Sequence, residues 1–217
     1  MSQADSGYSG PLDHHSEGSD YNALSFLVQQ LLGRAATTTL VQVVACTNAG
    51  GLAAVGVVDV HPMVAQIDGV GNITPHGVIY GLPYMRLQGG ANAVIIDPVV
   101  GDIGLAVICA QDISKVKATK KEGPPGSRRR FDLADGLYIG GVLNAVPTSF
   151  IRFGSDGVYI TSPTKVTLTA PDIELVGNTN VTGTVIASGD VTGNGTHLHT
   201  HTHSGVTTGG GTSGPPV

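Results

Sequence analysis

Four histidines alternate with other residues near the C-terminus: His197, His199, His201 and His203, in the stretch Thr196-His197-Leu198-His199-Thr200-His201-Thr202-His203-Ser204-Gly205-Val206. They are half of the chain's eight histidines. Imidazole is the commonest metal-ligating side chain. In an extended strand, residues two apart project from one face, roughly 6.5–7 Å from each other, so two such rings can converge on one ion. Two ligands alone make a weak site. Only 14 residues follow His203, with no carboxylate or histidine among them. That speaks against a cupin-type oxygenase, which needs a further carboxylate and histidine on later strands.

Symmetry can supply the missing ligands. Three copies that each offer one His-x-His would surround an ion with six nitrogens, leaving no open position for a substrate. Such a site holds its metal for structure. All-imidazole octahedral coordination suits Fe(II), Ni(II) or Co(II) better than Zn(II), which favours four ligands. A surface histidine run that binds metal adventitiously is one alternative. A histidine tag is another, but tags do not interleave Thr and Leu.

The preceding residues must position these rings. Every second residue from Ile173 through Leu175, Gly177, Val181, Val185 and Val191 to Gly195 is mostly apolar or very small, and His197 to His203 continue that face. The opposite face is mostly polar, with Asn178, Asn180, Thr182, Thr184, Asp190 and Thr192. Beyond Glu174 the only formal charge is Asp190, and beyond Tyr159 no aromatic occurs. A strand of this kind cannot bury itself, and its free edges invite pairing. Three parallel copies wound about an axis would pack the small residues inside and pair the edges. A disordered Gly/Thr-rich tail is the alternative, and the sustained alternation argues against it.

The remainder of the chain sets the frame. Of 217 residues, 32 are Gly and only 12% are charged, so aromatics and charges do not build an ordinary large core. The net charge of −5 does not point to nucleic acid as a partner. The N-terminal twenty residues lack a basic-then-apolar leader, and no apolar run is long enough for a membrane helix, so synthesis in the cytoplasm without a signal peptide is expected. Leu24, Leu27, Val28, Leu31 and Leu32 follow helical spacing, with Ser19 or Asp20 as cap and Gly33 as stop. From Thr37 to Ser114 about five strands alternate with turn signals such as Asn48-Ala49-Gly50-Gly51 and Asp68-Gly69, fitting a small OB-type barrel or a plain sandwich. Cys46 and Cys109 read as reduced core residues, with a single bridge left open. Lys115, Lys117, Lys120, Lys121, Arg128, Arg129 and Arg130 make a basic linker, expected to be solvated or to dock on an acidic protein surface. Asp132 and Asp135 fall at its junction and form no defensible catalytic pair.

The end of the chain resembles the central spike of contractile phage tails, the baseplate assembly protein V family. The resemblance lies in His201-Thr202-His203-Ser204-Gly205-Val206 followed by Gly209-Gly210-Gly211-Thr212-Ser213-Gly214-Pro215-Pro216. More loosely it includes Pro98-Val99-Val100-Gly101-Asp102 and Arg130-Phe131-Asp132-Leu133-Ala134-Asp135. It implies an all-β homotrimer: a loosely ordered segment 1–19, an OB-fold with one short helix over 20–114, a linker 115–132, a triple-stranded β-helix 133–195 and an apex 196–217. It implies one Fe(II) per trimer, held by His201 and His203 of each chain, with His197 and His199 as the second choice. The expected role is non-enzymatic. The spike sits at the virion's baseplate tip beneath hub and tail-tube proteins and pierces the host outer membrane on sheath contraction, binding no nucleic acid and no small-molecule substrate. A trimeric tail fibre or adhesin that binds a receptor is the alternative role.

Overall fold

The computed structural model describes residues 19–33, 35–67, 71–201, 205, 209 and 210. The expected loose segment before Ser19, the Asp68-Gly69 turn, His203 and most of the Gly-rich tail lie outside the described residues. The chain is mostly β and divides into two units between Thr148 and Ser149.

Helix α1 (Asp20–Gly33) opens the first unit. Ser19 caps it, its hydroxyl accepting from the Asn22 amide at 3.3 Å. The leucine stripe expected to need a surface stays open within the chain: Leu24 and Leu31 are each 60% exposed. No helix of the described residues is long and apolar enough to cross a membrane.

Seven strands follow: β1 (Thr38–Cys46), β2 (Val57–Pro62), β3 (Gln66–Ile67), β4 (Ile73–Thr74), β5 (Ile79–Pro83), β6 (Leu87–Gly89) and β7 (Asn92–Val94). Then come β8 (Ile103–Ile108), α2 (Ser114–Thr119), a 3-10 turn at Leu133–Asp135 and β9 (Gly136–Gly140). Strands β3–β4 and β6–β7 are two-stranded hairpins. The main sheet has the order β5-β2-β1-β8-β9, with every hydrogen-bonded pair antiparallel. In β2 and β8 every second residue is buried, as a curled sheet with one inner face requires. Val41, Val43, Val58, Val60, Leu82 and Tyr138 form the centre of the core.

A parallel bridge between Tyr84 and Tyr138 brings the two end strands together, and the Met85 amide donates to the Tyr138 carbonyl at 2.8 Å. The closing strand therefore comes from beyond the basic stretch. Gly136–Gly140, expected at the start of the needle, belongs to this sheet. The Tyr138 ring lies across Gly104, where a Cβ would come within 2.6 Å of it. Only glycine fits there. Cys46 and Cys109 are free and half-buried.

Asp97 anchors the loops on one side of the sheet. It accepts from the Tyr84 hydroxyl at 2.6 Å, from the Gly50 amide at 2.9 Å and from Arg86, whose guanidinium also donates to the Ala53 carbonyl. Its side chain is 1% exposed, so this pairing is what makes its burial tolerable. The Tyr84 hydroxyl and then the Arg86 guanidinium hold its carboxyl below the usual carboxylate range.

The basic stretch is pinned at both ends of its loop. Ser127 donates to Asp112 at 2.7 Å, and Arg129 pairs with both Asp135 and Asp112. The Ser114 side chain and amide, followed by Ser127, hold the Asp112 carboxyl at about 2 against an ordinary 3.8. A depressed carboxylate contributes stability above its unfolded value, and that contribution fades as pH falls through its folded value. The loop should therefore stay docked above pH 3.8 and release as pH approaches about 2. Hydrogen exchange at the Ser114 amide, which donates to Asp112, should lose protection over that window after correction for intrinsic rates. Protection that ends near pH 5 would contradict the assignment.

The second unit starts with the hairpin of β10 (Phe150–Gly154) and β11 (Gly157–Thr161), where Arg152 stacks 4.3 Å above the Tyr159 ring. From 163 to 191 no residue lies in a paired strand and all are exposed. Gly177, Gly183, Gly189 and Gly195 recur every six residues, with φ at +123°, +137° and +79° for the first, second and last. The unit's last pair is β12 (Thr192–Gly193) and β13 (Thr196–His197).

Candidate metal centre at the C-terminal hairpin

The stretch Asp190–His201 is not one extended strand. Asn194 and Gly195 have φ of 50° and 79°, the two left-handed residues of a tight hairpin turn. Asn-Gly is the residue pair that tolerates this turn best, because Gly pays no Cβ penalty and Asn bonds locally. The turn folds Thr196–His197 back on Thr192–Gly193, with Thr192 opposite His197. Leu198, His199 and Thr200 then turn again. His197, His199 and His201 are thus presented from successive bends, and the single-face ladder that an extended chain would give is broken among them.

The bends give individual rings distinct partners. His197 Nδ1 lies 2.6 Å from Asp190 Oδ2 and 3.2 Å from the Thr192 hydroxyl. The other Asp190 oxygen accepts from the His199 amide at 3.2 Å. His201 Nδ1 lies 2.7 Å from the Leu198 carbonyl. An ionised carboxylate and a carbonyl can only accept, so both Nδ1 atoms must donate. In the neutral ring the lone pair then resides on Nε2, for His197 and His201 alike. This is the arrangement that outer partners impose on metal-ligating histidines, fixing tautomer and orientation before the ion arrives.

A metal fits this donor set. Borderline divalent ions such as Fe(II) take neutral imidazole nitrogen, and a ring whose Nδ1 donates, as in His197, carries its lone pair on Nε2. Among the described residues of one chain, no three His, Cys, Asp or Glu side chains gather into a metal-binding group. Any complete site within them needs donors from elsewhere. The pair expected from the resemblance was His201 with His203. His201 has the orientation a ligand requires, and His203 lies outside the described residues. For the second choice, the hairpin separates the roles: His197 presents an oriented ring, whereas His199 uses its backbone amide to hold Asp190.

Asp190 is the residue that the spacing argument passed over. Its signal was available, since it is the lone formal charge beyond Glu174 in a neutral stretch. Asp190→Asn replaces an acceptor-only partner with one that can donate, so His197 can switch tautomer. Loss of such an outer partner weakens metal binding by roughly 10–100-fold where the ring is a ligand. If competition with a chelator shows unchanged affinity, His197 is not in the metal's shell.

The other acidic candidates are structural. Asp132 caps the 3-10 turn by accepting from the Ala134 amide. Asp135 is fully buried and accepts from Arg129 and from the Ile113 amide, and the Arg129 guanidinium holds its carboxyl below the usual range.

Comparison with known protein families finds no match to this chain, and comparison with curated proteins finds none either.

Proposed function

We propose that the chain is one subunit of a homotrimeric central spike of a contractile phage tail, built to pierce the host outer membrane and not to catalyse a reaction. The observation that carries this reading is the stretch 163–191. It leaves Leu175 69%, Val176 91%, Val185 71% and Ile186 89% exposed, in a segment with no strand partner of its own. Burying one such side chain contributes about 1.5–3 kcal/mol, so copies of the chain gain several of these by winding together. Gly177 and Gly183, six residues apart and both at positive φ, allow a bend to repeat, which an intertwined triple-stranded β-helix would need and a straight strand would not.

The amino-terminal unit supports the same reading. Its curled sheet of order β5-β2-β1-β8-β9, with a parallel bridge at Tyr84 and Tyr138, would suit a five-stranded partly open barrel of the OB kind. Such a barrel would dock beneath the hub and tube proteins at the baseplate tip of the virion.

His201 and His203 from each chain would hold one Fe(II), with His197 oriented by Asp190 as a further donor nearby. The ion, when bound, joins three chain ends that would otherwise fray. A terminus is the weakest point of a fold, and metal binding to a site absent in the unfolded chain stabilises the folded one. A tip loaded in compression benefits from that closure.

Light-scattering mass and elemental analysis of the purified protein test the reading together. A trimer with about one iron per three chains is expected. A metal-free monomer would overturn it.

A further inference from the structure

Strands β8 and β9 lie side by side in antiparallel register, Ile108 opposite Gly136, and a short turn could join such neighbours. Instead 27 residues separate that pair. The excursion is closed at its base. The Gly126 amide donates to the Asp112 carbonyl at 3.2 Å, so residues 113–125 leave the sheet and return to one point. The Asp112 carboxylate accepts from the Ser114 amide at 2.9 Å and from the Ser127 hydroxyl at 2.7 Å. A Cβ on Gly126 would crowd the Ser114 hydroxyl and Asp112 Oδ1, at 2.1 and 2.8 Å, so glycine lets the two limbs meet this closely.

What the excursion carries is positive charge. Residues 115–130 hold seven of the chain's eleven cations and one of its sixteen acidic groups, Glu122. Among the described residues, Arg129 alone of the seven forms an ion pair. Lys115, Lys120, Lys121, Arg128 and Arg130 are exposed. Gathering like charges on a fixed loop raises its energy, and a partner of opposite sign removes that repulsion. Surface charges are screened beyond about 8 Å at physiological salt, so a short acidic segment feels the loop and little else. A long polyanion such as duplex DNA would also lie along the carboxylates that dominate the rest of the chain. No aromatic falls within residues 115–130 to stack on a base. Lys120 also stands at an open depression of about 410 Å³, lined by Leu52, Val55, Ala93 and Ile95. A segment seated there places a carboxylate at Lys120 and an apolar side chain beside it.

We propose that this loop is a docking surface for an acidic segment of a partner protein, its carboxylates met by exposed cations including Lys120 and Lys121 and one apolar side chain seated in the depression. The proposal concerns the first unit alone and does not rest on the trimeric reading. The full-length protein is titrated at low salt with a labelled peptide of repeated Glu-Glu-Leu. An all-Glu peptide and a duplex oligonucleotide of the same net charge serve as comparisons. The Leu-bearing peptide should bind about tenfold more tightly than the all-Glu one, as burial of a leucine predicts. Lys120→Glu with Lys121→Glu should weaken that binding about tenfold or more, and Lys165→Glu in the second unit should leave it unchanged. Lys120→Gln with Lys121→Gln, which removes charge without adding repulsion, should weaken it about threefold. Hydrogen-exchange protection of the Ser114 amide reports that the loop stays docked in each variant. Absent binding by the wild type, full binding by a docked double variant, or an equal loss with Lys165→Glu would overturn the proposal. So would equal affinity for the all-Glu peptide, or tighter binding of the duplex.

Discussion

His201→Ala is expected to strip the metal from the trimer while leaving the β1–β9 sheet folded. His201 is the ring that both lines of argument select. It stands in the tip motif, and its Nδ1 donates to the Leu198 carbonyl, which leaves Nε2 as the lone-pair nitrogen. In the proposed site, losing one ligand per chain would remove three from a shared shell of six and leave too few donors for octahedral coordination. Iron by elemental analysis should fall from about one per three chains to background. The core around Val41, Val58 and Tyr138 lies in the other unit and does not depend on the tip, so its unfolding transition should be retained. Proteolysis should then begin at the C-terminus, where the closure has been lost. Iron retained at full stoichiometry in this variant would move the ligand set to His197 and His199.

Val181→Asp should abolish the trimer itself. Val181 is on the apolar face of the alternating stretch and is 54% exposed in the single chain. In the proposed wound assembly three copies of that position would converge on a shared interior. Three carboxylates there would be buried among apolar groups and against one another, and each unpaired buried charge costs several kcal/mol. That exceeds the gain from burying any one valine. The measured mass should drop to that of one chain, 22.0 kDa. A variant that remains trimeric would show that this face is not the contact between copies.

Helix α1 was legible because its information is local. Leucines at helical spacing, a serine cap and a glycine stop act within one segment, and the helix runs from Asp20 to Gly33 as those residues require. The strands β1, β2, β5 and β8 were legible for the same reason, since alternation of apolar side chains fixes which face is buried. The strand β9 was not. Gly136-Leu137-Tyr138-Ile139 and Gly157-Val158-Tyr159-Ile160 look alike in sequence. Yet Tyr138 is 1% exposed at the closure of the sheet, and Tyr159 is 39% exposed on a separate hairpin. Nothing within either segment distinguishes them. The difference comes from Tyr84 and Gly104, which are far away along the chain and receive one tyrosine and not the other.

The basic stretch shows the same limit. Its seven cations read as a solvated linker because charge runs usually are. Arg129 instead forms a fork on Asp135, with Asp112 alongside, and this holds the loop between α2 and the 3-10 turn. Spacing alone cannot tell which cation of three consecutive arginines will find a buried carboxylate.

By itself the sequence determined the β character, the alternating faces of β2 and β8 and the presence of closely spaced imidazoles near the C-terminus. These follow from residue types and periods that hold over a few neighbours. Only the tertiary structure decided which strand closes the sheet, how the Asn194-Gly195 turn breaks the histidine ladder, and which ring nitrogen of His197 and His201 donates locally. Those outcomes depend on single hydrogen bonds between specific partners, such as Asp190 with His197. A periodic pattern can bring such partners near one another, but it does not determine which of them bond.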